Sequence, residues 1–304
     1  MLMKKIICIG ELSLNVVIDA DGRPLGSVSG SRVANAAAIL GGGGFNVLMA
    51  SEAASDPVGS LAVDALVEVG VDITSVDRFT EGRTPLNVFV CRRDGSAPSI
   101  TRYESYPEEC FDIVWPRIDE GDVVLFGGFY AIDPRMRARL SRLLAHAVER
   151  KAVLIYLPGF LPQLEPRITR VMPQLLENLE MANIVMARAS ELDLIFGAAS
   201  TEACYRNHID FYCRSLIAVE PSCHTISYYS GKRVNTVAVP EGVCDGMMWN
   251  AGAVAGVTAS VFTRGLGVDD LDAPSDELCR RILADAVASA DAAARNIKFE
   301  NLGF

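Results

Sequence analysis

Residues 241–252, EGVCDGMMWNAG, bring a thiol, a carboxylate and a run of small residues to the start of a helical pattern. The pattern continues as AVAGVTASVFTRG and stops at Gly265. Asp245 is a strong helix N-cap, and its carboxylate would compete with any anion for the same backbone N–H groups. Cys244, at that helix start, could carry a lowered pKa, although burial is the commoner fate of a free cysteine. Met247 accepts no proton near neutral pH, so general-base catalysis is excluded at that position. Of the three histidines, His146 falls on an amphipathic helix pattern, and nothing pairs His208 or His224 with a nucleophile.

The elements that must position these groups show in the apolar runs. KKIICIG, FNVLMAS, DVVLFGG, AVLIYLP, ANIVMA and SLIAVE are short and rich in Ile, Val and Leu, as strands buried on both faces are. Amphipathic stretches such as 58–70 and 133–150 lie between them. The alternation predicts an α/β fold with a mainly parallel sheet, whose ligands bind beyond the carboxyl ends of the strands. Segments 11–29 and 84–106 instead alternate apolar and polar positions around Asp21-Gly22 and Asp94-Gly95. Such turns predict hairpins, and hairpins inserted in an α/β fold suggest a small lid sheet. At Gly41–Gly44 the preceding helical pattern is expected to stop early, because each helical glycine costs about 1 kcal/mol relative to Ala. These glycines lack the Lys-Ser/Thr of a P-loop.

Composition narrows the function. With 304 residues, half of them hydrophobic, the chain can bury one large domain, and no stretch reaches the roughly 20 apolar residues of a membrane span. The apolar run after Lys4-Lys5 breaks at Gly10-Glu11 and reads as a buried first strand rather than a signal peptide. A net charge of −10 argues against nucleic acid or an anionic membrane as partner. The eight cysteines form no Cys-x-x-Cys pair, which argues against zinc and for reduced thiols in a cytoplasm.

The 241–252 stretch resembles the D-T-T-G-A-G-D-A-F-x-A-G motif of the ribokinase (PfkB) family of sugar and nucleoside kinases. Trp249 falls on the Phe, Ala251-Gly252 on the Ala-Gly, and Met247 on the aspartate that is the family's base. Gly10-Glu11 followed by Asn15 is similar to G-E-x-x-x-D, and Gly30-Ser31 followed by Asn35 to G-G-x-x-x-N. Asp56 and Gly59 match the D-D-x-x-G turn. Leu157-Pro158-Gly159 stands where many members have D-P-N, and Arg188 to Glu191 falls on N-x-x-E. Near Glu220–Thr225 the nucleotide-side glycines are missing.

The resemblance implies a ribokinase-like three-layer fold with a β lid, one domain over 1–304. It implies sugar contacts from Asn15, Gly30, Ser31, Asn35 and a lid residue, Arg102, with Ser31 narrowing the pocket. An anion site for the transferring phosphate would involve Cys244, Gly246 and Asn250, and Glu191 would organise magnesium. Three readings follow from it. The chain binds a sugar or polyol with ATP-dependent phosphotransfer weak or lost; or it is an active kinase using ATP and Mg2+ with Asp245 as a displaced base; or it is an oligomeric scaffold. The lid also implies a homodimer.

Overall fold

The computed structural model describes residues 4–94, 99–107, 111–240 and 246–295. The chain opens with β1 (Ile6–Ile9) and a hairpin of β2 (Leu14–Ile18) and β3 (Pro24–Ser29), then α1 (Arg32–Gly42). There follow β4 (Val47–Ala54), α2 (Pro57–Glu68), β5 (Asp72–Phe79), and a second hairpin of β6 (Arg83–Val90) and β7 (Ser99–Ser105). The middle of the chain alternates β8 (Val123–Gly127), α3 (Pro134–Glu149), β9 (Val153–Leu157), α4 (Ile168–Met181) and β10 (Ile184–Arg188). After α5 (Ala189–Phe196) and α6 (Thr201–Cys204) come β11 (Ser215–Glu220), β12 (Thr225–Ser230) and β13 (Arg233–Ala238). The last elements are α7 (Met247–Arg264), α8 (Val268–Asp272) and α9 (Asp276–Ala294).

Among the described residues, nine strands form the main sheet in the order β13-β12-β11-β10-β9-β8-β1-β4-β5. From β11 to β5 the neighbours are parallel, and β12 and β13 add an antiparallel edge. All six apolar runs form strands of this sheet, and both amphipathic stretches form helices. The strands are buried on both faces because each feeds two cores. Val123 and Leu125 of β8 pack on one side with residues of α1, α2, α7 and α9. Val124 and Phe126 pack on the other with residues of α3, α4 and α5.

Local chemistry sets the helix ends. Asp56 Oδ1 accepts the Gly59 N–H at 2.7 Å and Pro57 follows as the first residue of α2, an arrangement that spends no otherwise useful donor. Asp133 and Pro134 repeat the device at α3. The glycine run departs from expectation: α1 continues through Gly41 and Gly42 and is capped by Gly43. A Cβ at Gly41 would sit 2.7 Å from Val71 Cγ2 and 2.8 Å from the Val69 carbonyl, so close packing there outweighs helix propensity.

A second, four-stranded sheet has the order β3-β2-β6-β7. Its hairpins are antiparallel, whereas β2 and β6 run parallel through its centre. Asp19 Oδ1 accepts the Asp21 and Arg23 N–H groups, and Gly22 takes φ 86° in the β2–β3 turn. The period-two alternation gives the sheet two unlike faces. Asn15, Val17, Asn87 and Phe89 share one; Leu14, Val16, Ile18, Leu86, Val88 and Val90 share the other.

Candidate functional site

A cavity of about 320 Å³ lies between the second sheet and the carboxyl ends of the main strands. Gly127-Gly128 at the end of β8, Leu157 and Gly159 at the end of β9, and Glu191 in the first turn of α5 form its base. Met247 contributes the start of α7, Gly30–Val33 the start of α1, and Asn15, Asn87 and Arg102 the second sheet. A crevice beyond the carboxyl ends of parallel strands is where ligands bind in open α/β sheets.

One chain of hydrogen bonds runs across this cavity. Arg102 donates through Nε to Glu104 Oε2 at 2.7 Å and through Nη1 to Glu11 Oε1 at 3.2 Å. Nη1 also donates to Asn87 Oδ1 at 3.2 Å. Asn87 Nδ2 donates to Asn15 Oδ1 at 2.8 Å, which turns the Asn15 amide so that its Nδ2 faces α7. There, among the described residues, Nδ2 makes only long contacts, 3.4 Å to the Gly30 carbonyl and 3.6 Å to Met247 Sδ. Burial lowers the Arg102 pKa, but the charges of Glu11 and Glu104 outweigh it and hold the guanidinium more firmly protonated than usual. Gly30 is required where it stands: a Cβ would lie 1.9 Å from Ser13 Oγ and 3.1 Å from Asn15 Oδ1.

The remaining sequence-derived candidates take other roles. Ser31 lines the cavity, yet its hydroxyl is drawn back: Oγ accepts the Ala34 N–H at 3.0 Å and donates to the Glu11 carbonyl at 2.7 Å. It therefore serves as the N-cap of α1 rather than filling the pocket. Asn35 is buried and donates to the Ser29 carbonyl at 3.0 Å, tying α1 to β3 away from the cavity wall. Gly246 is the N-cap of α7, and its carbonyl accepts the Asn250 backbone N–H and, at 2.8 Å, Asn250 Nδ2. Trp249 is fully buried and donates to Asp291 of α9 at 2.9 Å. Cys244 and Asp245 lie outside the described residues.

Glu191 reaches the cavity already engaged. Its Oε2 accepts the Arg188 backbone N–H at 2.9 Å as a capping box, and its Oε1 lies 2.7 Å from Arg32 Nη2. The same Arg32 nitrogen donates to the Pro158 carbonyl at 3.3 Å. A cation at Glu191 would have to displace a guanidinium, and among the described residues no other group of His, Cys, Asp and Glu converges to hold one. The described residues therefore do not fit magnesium here.

Sequence reasoning missed Arg32, Asn87 and Glu52. Asn87 could have been found from phase, since it alternates with Phe89 on the face that carries Arg102. Glu52 stands out as the one acid within the apolar run of β4. It is 1% exposed, and its Oε2 accepts the Phe111 N–H at 2.6 Å. Burial pushes its pKa up to about 7 against that hydrogen bond. The histidines stay outside the site: His208 stacks on Phe196 with ring centroids 5.0 Å apart, and His224 opens the β12 hairpin at φ 52°.

Several solved structures share this architecture. The fructokinase with bound ATP from Xylella fastidiosa superposes with a TM-score of 0.79 at 18% identity, covering 99% of this chain and 94% of that one. The aminoimidazole riboside kinase from Salmonella enterica, complexed with aminoimidazole riboside and an ATP analogue, gives 0.75 at 15% identity over 99% and 97%. The Vibrio cholerae O395 fructokinase bound to fructose, ADP and calcium gives 0.75 at 14% identity over 96% and 92%. No curated protein matches the sequence. Residues 3–209 match the pfkB family carbohydrate kinases, and the strand order and crevice described above have the same architecture. The chain belongs to the pfkB family of carbohydrate kinases.

Proposed function

We propose that this protein binds a sugar or related polyol under the second sheet and that its ATP-dependent phosphotransfer is weak or lost. The observation that carries the reading is the contact at 3.6 Å between Asn15 Nδ2 and Met247 Sδ. Transfer of a phosphoryl group to a hydroxyl needs an acceptor for the hydroxyl proton, and a thioether supplies none. The ion pair between Arg32 and Glu191 supports the same conclusion, because it occupies the carboxylate that would organise a metal. In this reading residues 1–304 act as one α/β domain, and segments 11–29 and 84–106 form its lid.

Asn15, Gly30 and Arg102 would do the binding. Arg102 positions Asn87 and, through it, Asn15, so ligand hydroxyls meet an amide of fixed direction. A homodimer through the lid is supported by the outward aliphatic face of β2 and β6, which water would otherwise cover. The free thiols at Cys8, Cys204, Cys213 and Cys279 suit a reducing cytoplasm.

The test is a melting titration with sugars and Mg-ATP, separately and together, followed by a turnover assay. A sugar at 100 times its dissociation constant should stabilise the fold by about 2.7 kcal/mol. Turnover at ordinary kinase rates, about 1–100 per second, would overturn the proposal. Loss of that turnover in Asp245→Asn would assign the displaced base.

A further inference from the structure

We infer that Glu52, while it carries a proton, fastens residues 111–118 to the main sheet, and that losing the proton releases them. The inference is independent of what the cavity binds. Residues 111–118 form a strap that leads from the second sheet into β8. Phe111, Ile113 and Ile118 are buried in the core that also holds residues of α3 and α4, whereas Asp112, Val114 and Arg117 are exposed.

The backbone of the strap is held under strain. Phe111 takes φ 61°, a left-handed conformation that a bulky residue seldom adopts. Its N–H points into the main sheet, to Glu52 Oε2 at 2.6 Å. Strain of this kind persists only where the surroundings impose it. Glu52 and Asp77 are register partners on β4 and β5, and the N–H of the next strap residue, Asp112, faces the Asp77 carboxylate. Successive N–H groups around a left-handed residue form a small concavity suited to anions. Here two side chains of the protein itself supply the anionic groups.

The same arrangement becomes costly once Glu52 ionises. The residue is 1% exposed, and its Oε1 has no hydrogen-bond partner among the described residues. Around it stand Asp77 on β5, Asp133 and Arg135 at the start of α3, Tyr130 after β8 and Tyr106 after β7. The cation that faces it, Arg135, is already held by Asp133 and Glu104, and Asp112 on the strap is paired with Arg139. Burial raises the Glu52 pKa from 4.5 to about 7. An opened strap lets water reach the carboxylate and restores its ordinary value. The closed strap is therefore favoured in acid, and the open one gains as pH rises from about 4.5 through about 7. Opening also parts Phe111 from Tyr130, whose rings meet edge to face at 5.8 Å, so a residue that lines the cavity loses its backing.

Hydrogen exchange of the full-length protein, read by mass spectrometry on peptides covering the strap and on peptides covering β9 and β10, tests the inference. Corrected for the intrinsic rate, protection of the strap should fall about 50-fold or more between pH 5 and pH 8. In Glu52→Gln, which can still accept from Phe111 but cannot ionise, the same protection should change less than about three-fold. Exchange in the strap should also be insensitive to about 0.5 M urea, as a local opening exposes little surface. Protection independent of pH in the parent, or equally dependent on pH in the variant, would overturn the inference. So would one protection factor and one urea dependence shared by the strap and the core strands, since the opening would then be unfolding of the whole domain.

Discussion

Replacing Glu52 by Gln should make the fold markedly more stable above neutral pH while changing little in acid. The carboxyl group sits at the carboxyl half of β4, 1% exposed, with Oε2 accepting from Phe111 and Oε1 buried without a hydrogen-bond partner among the described residues. Burial is the largest influence on it and raises its pKa from 4.5 to about 7. The Phe111 N–H and the charge of Arg135 pull the other way, while Asp77 and Asp133 add to the rise. A pKa that is higher in the folded state means that folding takes up a proton. The group therefore costs nothing below its unfolded pKa, and stability is lost as pH rises from about 4.5 through about 7. At about 1.4 kcal/mol per pKa unit, that cost approaches about 3 kcal/mol by pH 8. An amide of the same shape can still accept from Phe111 and has no charge to desolvate. Urea unfolding followed by fluorescence of the buried Trp249, at pH 4.5 and pH 8, gives the stability difference between variant and parent. It should widen by about 3 kcal/mol in favour of the variant at the higher pH. A change below about 0.5 kcal/mol would mean that Glu52 stays ionised at little cost, and the argument from burial would fail.

Two further substitutions test the site. Gly30→Ala places a methyl group on Ser13 Oγ and should cost about 1–3 kcal/mol in thermal or chemical denaturation, with sugar binding reduced alongside. Arg102→Ala leaves Glu11 and Glu104 facing each other half-buried and frees the Asn87 amide to rotate; a destabilisation of about 2–4 kcal/mol is expected. Arg102→Lys should recover only part of it, because an ammonium cannot reach both carboxylates and Asn87 with a fixed fork, and full recovery would contradict that geometry.

Much of the fold was legible because buried parallel strands need continuous apolar runs, and all of those runs but ANIVMA end at Gly, Pro or an acidic residue. The β12–β13 pair was not, since β13 alternates as an exposed edge allows, while β12 buries Ser and Tyr side chains that periodicity does not mark as core. The candidate site was legible in part. Asn15 and Gly30, from the two motif matches, and Arg102, from the second lid segment, meet at the cavity. Asn35 and Ser31 are engaged by nearby backbone, the buried amide donating to the Ser29 carbonyl and the hydroxyl capping α1. Arg32 escaped notice because its partner, Glu191, is distant in sequence, and no local pattern announces a long-range ion pair.

The chain of bonds from Arg102 through Asn87 to Asn15 and on towards Met247 has a kinetic consequence. It begins on the second sheet and ends at the first turn of α7, so separating the sheet from the main body breaks it. A ligand seated between Asn15 and Met247 would join the second sheet to the main body, so its departure requires the two to part. A ligand that reconnects the chain in place of the long contact to Met247 would be held well beyond the time its few hydrogen bonds suggest.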